Sequence, residues 1–196
     1  MGNRRIGAQR LNTLLKRGSQ GTDSSYQAGA SAKAMIASHS IRREGKLIVT
    51  EIAIDLGGNG ETIACTANAN RPIGVKSSTG NAYLMQWEND VHGIFIMAEV
   101  VVVEAANGET AMSLRSDTAA KAVDTGDTSA NDVLGTIPVN AVNIATTDDN
   151  DGSSADSADL GDGEYLYLTN DSSSAVDFTQ GRLIVRLIGA DNTWTF

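Results

Sequence analysis

The stretch GIFIMAEVVVVEA, residues 93–105, decides the fold. Its apolarity is nearly continuous, and its run of valines is β-branched, which disfavours a helix and suits a pleated surface. It reads as a strand buried on both faces, or as a central strand of a sandwich. ANGE (106–109) follows as a hairpin-type turn, and TAMSL (110–114) is expected to return beside it.

Working outward, the same grammar recurs. KLIVTEIAIDL (46–56) places Ile48, Ile52, Ile54 and Leu56 on one face and Leu47, Val49, Glu51, Ala53 and Asp55 on the other. That is the period-two pattern of a strand with one apolar face. GGNG (57–60) turns the chain, ETIACTA (61–67) predicts a short strand, NANRP (68–72) turns again, and IGV (73–75) and NAYLMQW (81–87) give further fragments. Toward the C-terminus, VLGTIPVNAVNIA (133–145) is interrupted by Pro138, which argues for an edge or a break between two strands. GEYLYLTN (163–170) alternates Tyr165 and Tyr167 against Leu166 and Leu168, and a short pairing element is expected near Val176 and Phe178. RLIVRLIGA (182–190) sets Leu183, Val185 and Leu187 against Arg182, Ile184, Arg186 and Ile188. Short strands separated by Gly, Asn, Asp and Ser turns predict an all-β, antiparallel β-sandwich, jelly-roll-like in kind. No long helical pattern follows residue 45, which excludes alternating strands and helices.

The chain has 196 residues, 41% hydrophobic but only 5% aromatic, so the core must be aliphatic. Its formal charge of -9 divides unevenly. Residues 1–46 hold nine basic side chains against two acidic ones; residues 47–196 hold six against twenty-two. This divides the chain into a basic N-terminal arm, 1–45, and a β domain, 46–196, with long acidic loops at 115–132 and 146–164. In the arm, Ile6, Leu11, Leu14 and Leu15 share about one face of a short helix, with Arg4, Arg5, Arg10 and Arg17 around them and Gly18 as its stop. A helix of this length is marginal alone in water and gains stability by docking its leucines on a partner. GSQGTDSSYQAGASA then reads as a tether, and 30–38 as a short helix or an extended segment.

The search for chemistry returns mostly exclusions. There is no phosphate-cradling glycine loop, no HExxH and no GxSxG, so no enzyme is expected. Cys65 reads as a small buried hydrophobe, not a nucleophile. His92 reads as a surface residue at a strand end, although Glu88 or Asp90 stands close enough in sequence to orient it as a base. Asp148, Asp149, Asp151, Asp156, Asp159, Asp162 and Glu164 offer oxygen ligands for calcium, yet Thr147 occupies the position where an EF-hand needs its first acid, and the stretch reads as a solvated loop. No cofactor is expected. No apolar run reaches 18 residues, so no membrane helix is expected, and the basic start lacks the apolar stretch of a secretory signal. The arm lacks the aromatic interleaving of a nucleic-acid binder, so direct nucleic-acid contact is not expected. An acidic protein surface, including a neighbouring copy, accounts for both halves of the charge division.

The opening MGNRRIG (1–7), TEIAIDL (50–56), FIMAEVVVVEAANGET (95–110) and the closing GEYLYLTN…FTQGRLIVRLIG (163–189) resemble a class of small virion proteins of marine tailed bacteriophages, similar to capsid decoration or cement proteins. The resemblance implies a β-sandwich or jelly-roll body, a homotrimer, the major capsid protein as partner and a place on the capsid surface of the virion. The arm residues Arg4, Arg5, Ile6, Arg10, Leu11, Leu14, Leu15 and Arg17 are nominated as the docking element from charge and apolarity alone. Phe95, Val101 and Val103 are expected in the core or a subunit seam. Two alternatives remain open: another phage component such as a head-fibre base, tail or adaptor protein, and a carbohydrate-binding sandwich with Tyr83, Trp87 or Trp194 exposed.

Overall fold

A computed structural model describes residues 26–57, 60–67, 69–109, 111–123, 131–146, 160–171 and 174–191. The arm's nominated residues and most of the acidic 146–164 stretch lie outside them. The described chain is an all-β sandwich of antiparallel sheets. Its strands are β1 (Ile36–Glu44), β2 (Leu47–Asp55), β3 (Ile63–Cys65), β4 (Gly74–Val75), β5 (Met85–Gln86), β6 (Ile94–Glu104), β7 (Ala111–Asp117), β8 (Asn131–Pro138), β9 (Asn143–Thr146), β10 (Tyr165–Asn170), β11 (Val176–Phe178) and β12 (Arg182–Ala190). A 3₁₀ turn at Lys33–Met35 precedes β1, and a single helical turn, α1 (Asn89–His92), precedes β6.

One sheet has the order β1-β2-β12-β6-β9 and a second β5-β10-β7-β8. Their inward residues meet in one aliphatic core. Ile52, Ile54, Ala98, Val100, Val102, Leu183, Val185 and Leu187 of the first face Met85, Met112, Leu114, Leu166 and Leu168 of the second. A small third sheet, β11-β3-β4, adds Ile63, Cys65 and Phe178 to the same core. From β5 onward the chain crosses repeatedly between the two large sheets: β5 to β6, β6 to β7, β8 to β9, β9 to β10, and back to the first sheet at β12.

The alternation read in residues 46–56 and 182–190 holds: Ile48, Ile52, Ile54 and Leu56 are buried, as are Leu183, Val185 and Leu187. Pro138 ends β8, an edge of the second sheet, and β9 starts afresh at an edge of the first. Three expectations are corrected. The sheet begins at Ile36, not residue 46, because ASHSIRRE forms an edge strand whose polar residues face water and leave little apolar period to read. Of the two readings of 93–105 the central sandwich strand holds, and β6 is buried on one face only: Ala98, Val100 and Val102 point into the core, while Ile94, Ile96 and Val103 are exposed. Burial on both faces belongs instead to β10, central in the second sheet, where even the Tyr167 hydroxyl is enclosed, donating to the Ala119 carbonyl (2.9 Å) and accepting from the Lys121 amide (2.8 Å). Lastly, residues 106–109 are no hairpin. The Asn107 carboxamide accepts from the Thr179 amide at 2.7 Å and donates to the Asp177 carbonyl, holding an arch that carries the chain to the opposite sheet.

His92 is also buried, contrary to the surface reading. Its ring stacks on Trp87 at 4.9 Å and its Nδ1 lies 2.9 Å from Thr50 Oγ1. Trp87 is fully buried, packs edge-on against Phe95, and donates from Nε1 to Asn89 Oδ1 and the Gly93 carbonyl. The close approach of α1 to β12 requires glycine: a Cβ on Gly189 would lie 2.1 Å from the His92 carbonyl oxygen. Trp87→Ala should therefore cost about 3–5 kcal/mol, read as a lower urea midpoint with an unchanged slope.

Candidate protein interface

Tyr26, the first described residue, ties the root of the arm to the body. Its hydroxyl donates to the Leu84 carbonyl (2.9 Å), and its ring stacks on His39 of β1 at 3.9 Å. Burial pushes the phenol well above its ordinary range. The backbone continues the clasp: the Gly29 amide donates to the Tyr83 carbonyl and the Ser31 amide to the Asn81 carbonyl, both at 2.9 Å. A Cβ on Gly29 would stand 2.2 Å from the Asn81 oxygen, so only glycine lets the strands approach this closely. Tyr26 is thus fixed beside β1, the open edge of the first sheet.

The outer face of that sheet is the second feature. The six exposed large hydrophobics among the described residues, Leu47, Ile94, Ile96, Val103, Val142 and Ile144, all lie on its strands or on the turn into β9. Ile144 is 62% exposed and Ile94 51%. Between them run ionic rows. Arg186 reaches Glu51 on one side (3.3 Å) and Glu99 on the other (3.2 Å). Arg182 likewise lies between Asp55 (3.3 Å) and Glu104 (3.5 Å). Strand pairing places Ile184 beside Ala53 and Val101, and Val101 beside Ile144, so an apolar row separates the two ionic ones. Outward Glu51, Arg186 and Glu99 were each readable from the alternation of their own strand; their convergence depends on strand order, which the sequence does not carry.

The remaining sequence candidates are placed as follows. Arg4, Arg5, Ile6, Arg10, Leu11, Leu14, Leu15 and Arg17 lie outside the described residues. Phe95 packs against the core, whereas Val101 and Val103 face outward. Asp162 accepts from the Asn89 amide at the start of α1 and Glu164 from the Gly161 amide of its own turn, so both carboxylates hold backbone amides. Among the described residues no group of three or more His, Cys, Asp or Glu is arranged to hold a metal ion, and no helix is long and apolar enough to cross a membrane. Trp87 is not exposed, and Tyr83 is half-buried against Tyr165, so neither offers the open aromatic platform that a glycan site needs.

A cavity of about 250 Å³ lies beside Cys65, with Thr66, Lys76, Ser77 and Asp177 in its wall. Lys76 pairs with Asp177 there. Desolvation pushes the Cys65 thiol up to about 11, so it stays protonated at neutral pH and is a poor nucleophile. Neither a family model nor a curated protein nor a solved structure matches the chain.

The Cys65 shift has a consequence for stability. A thiol whose folded pKa lies above its unfolded one binds its proton more tightly when folded, so stability is present below the unfolded value of 9.0 and is lost as pH rises toward about 11. Denaturant midpoints should fall across that window, and Cys65→Ala should flatten the decline.

Proposed function

We propose that the protein is a structural component of a tailed-phage virion that decorates or cements the capsid lattice, attached through its N-terminal arm and carried by a chemically inert β body. The carrying observation is the opposition of charge across the Tyr26 clasp: residues 1–25 hold five basic side chains and one acid, while residues 26–196 hold ten basic and twenty-three acidic. A basic arm is attracted to acidic protein surfaces, the body of a neighbouring copy among them, which makes the arm and not the acidic body the adhesive element.

The strand winding supports the same reading. Taking β2, β5, β6, β7, β8, β9, β10 and β12 in chain order, the two four-strand sets β2-β12-β6-β9 and β5-β10-β7-β8 support a jelly-roll reading of the sandwich, an architecture common in capsid proteins. Fold alone does not assign function, so the arm carries the argument. The partner on this reading is the major capsid protein, with Ile6, Leu11, Leu14 and Leu15 docking and Arg4, Arg5, Arg10 and Arg17 pairing to its carboxylates. Many copies on one lattice gain from multivalency even where each contact is weak. The body requires no cofactor and no catalytic group on this reading.

Deleting residues 1–20 should leave the body folded, with a melting temperature close to that of the full chain, and abolish co-sedimentation with undecorated capsids. Full occupancy by the truncated protein would overturn the proposal. Copy number separates the phage alternatives: hundreds per particle for decoration, about a dozen for an adaptor or fibre base.

A further inference from the structure

We infer that the outer face of the five-stranded sheet is a two-fold self-association surface, occupied by the same face of a second copy. The inference goes beyond the arm-based reading, because it concerns free protein and stands or falls without any capsid.

The argument begins from register. On β12 the outward residues include Arg182, Ile184 and Arg186, and their partners on β6 are Glu104, Val101 and Glu99. A two-fold axis running along the strands, between β12 and β6 and midway between two copies, lays β12 of one copy over β6 of the other. Arg186 then meets Glu99 of the second copy, Arg182 meets its Glu104, and Ile184 meets its Val101. The same operation sets Ile144 against Ala53, one strand further out on each side. The central positions meet their chemical complements, so the middle of the face is self-complementary. An axis between β2 and β12 also matches arginine to carboxylate, but it leaves Ile144 facing nothing and sets Glu99 opposite Ser40. The chosen axis covers Ile144 and the Ile184–Val101 row and leaves the polar β1 edge in water.

The covered area is modest: the nine paired residues of β12 and β6, with the four residues of β9 lying over β2, give roughly 400 Å² per copy, about half of the ~800 Å² per partner of a standard interface, so the pairing rests on the matching of charge and aliphatic rows. Aligned sheets cross at about 30°, so the match is best at the centre, among Ile184, Arg186, Val101 and Glu99. Both guanidinium and carboxylate keep their partners within the sheet and gain one across it, an alternating four-charge ring whose members stay hydrogen-bonded when water leaves. The symmetry is two-fold, which calls for a dimer in place of the trimer that the resemblance implies.

The test is charge exchange in the full chain. In sedimentation velocity at tens of micromolar, the native protein should run as a dimer. Glu99→Arg sets arginine against arginine between identical copies, and Arg186→Glu sets glutamate against glutamate; each variant should dissociate at least about a hundredfold more readily. An equimolar mixture of the two should recover the dimer, seen as the mixed mass in native mass spectrometry. Glu51→Gln breaks the same pairing within one sheet but meets Thr146 across the axis, and it should stay dimeric. If either charge variant fails to fold, Ile144→Asp, on an edge strand and pointing away from the core, should dissociate the native pair. A monomeric or trimeric native protein overturns the inference, as does a dimer that survives Glu99→Arg, Arg186→Glu or Ile144→Asp, or a mixture of folded charge variants that stays monomeric.

Discussion

Strand β12 is paired along its full length on both sides, with β2 and with β6, and the rest of the structure depends on that double pairing. It joins the first long strand of the sandwich to its most apolar one. Its inner residues, Leu183, Val185 and Leu187, sit in the middle of the core. Its outer residue Arg186 is held between Glu51 and Glu99. These ion pairs are half exposed and add little stability by themselves. Their larger effect is on register. A slip of one residue would turn Arg186 into the aliphatic core and lift Leu187 into water, so hydrophobic burial and the ion pairs exclude the same error. Gly189 completes the constraint by letting the α1 backbone close against the strand end.

How much of this was readable follows from what each residue's neighbours are. Where a strand has water on one side and core on the other, as in 47–55 and 182–190, the period-two pattern states the burial correctly. Where apolar residues face outward, the pattern misleads. Ile94, Ile96 and Val103 read as core because sequence reports hydrophobicity, and only strand order tells whether a second layer covers them. Tyr167 and Thr169 fail in the opposite sense. They look like the polar face of a half-buried strand, yet both are buried: the segment around Ala119 and Lys121 takes the hydrogen bonds of the Tyr167 hydroxyl, and the Thr169 hydroxyl donates to the Ser113 carbonyl of β7. The turn at 106–109 has hairpin residues but serves as an arch, because Asn107 finds its partners near Thr179, distant in sequence. His92 gave no local sign of burial; Trp87 and Thr50 reach it only through the fold. For the candidate interface, the aliphatic and ionic members were visible one strand at a time, and their rows were not. The nominated arm residues lie outside the described chain, while Tyr26 sits in a small, polar stretch that reads as a tether and gives no local sign of its packing on Leu84 and His39.

The outer face resolves a conflict that any exposed apolar sheet must meet. A contiguous aliphatic patch invites indiscriminate association. Here the apolar row of Ile184, Val101 and Ile144 is bordered on both sides by arginine and carboxylate, so a wrong partner must strand charges against hydrocarbon, a cost of several kcal/mol. A partner with the same spacing of rows strands none. The ion pairs that fix register within the sheet thus also act as a filter on what can cover it, and the aliphatic rows supply the area that makes covering it favourable. Because one set of side chains performs both tasks, the surface cannot lose its selectivity without also loosening the strand order that creates it.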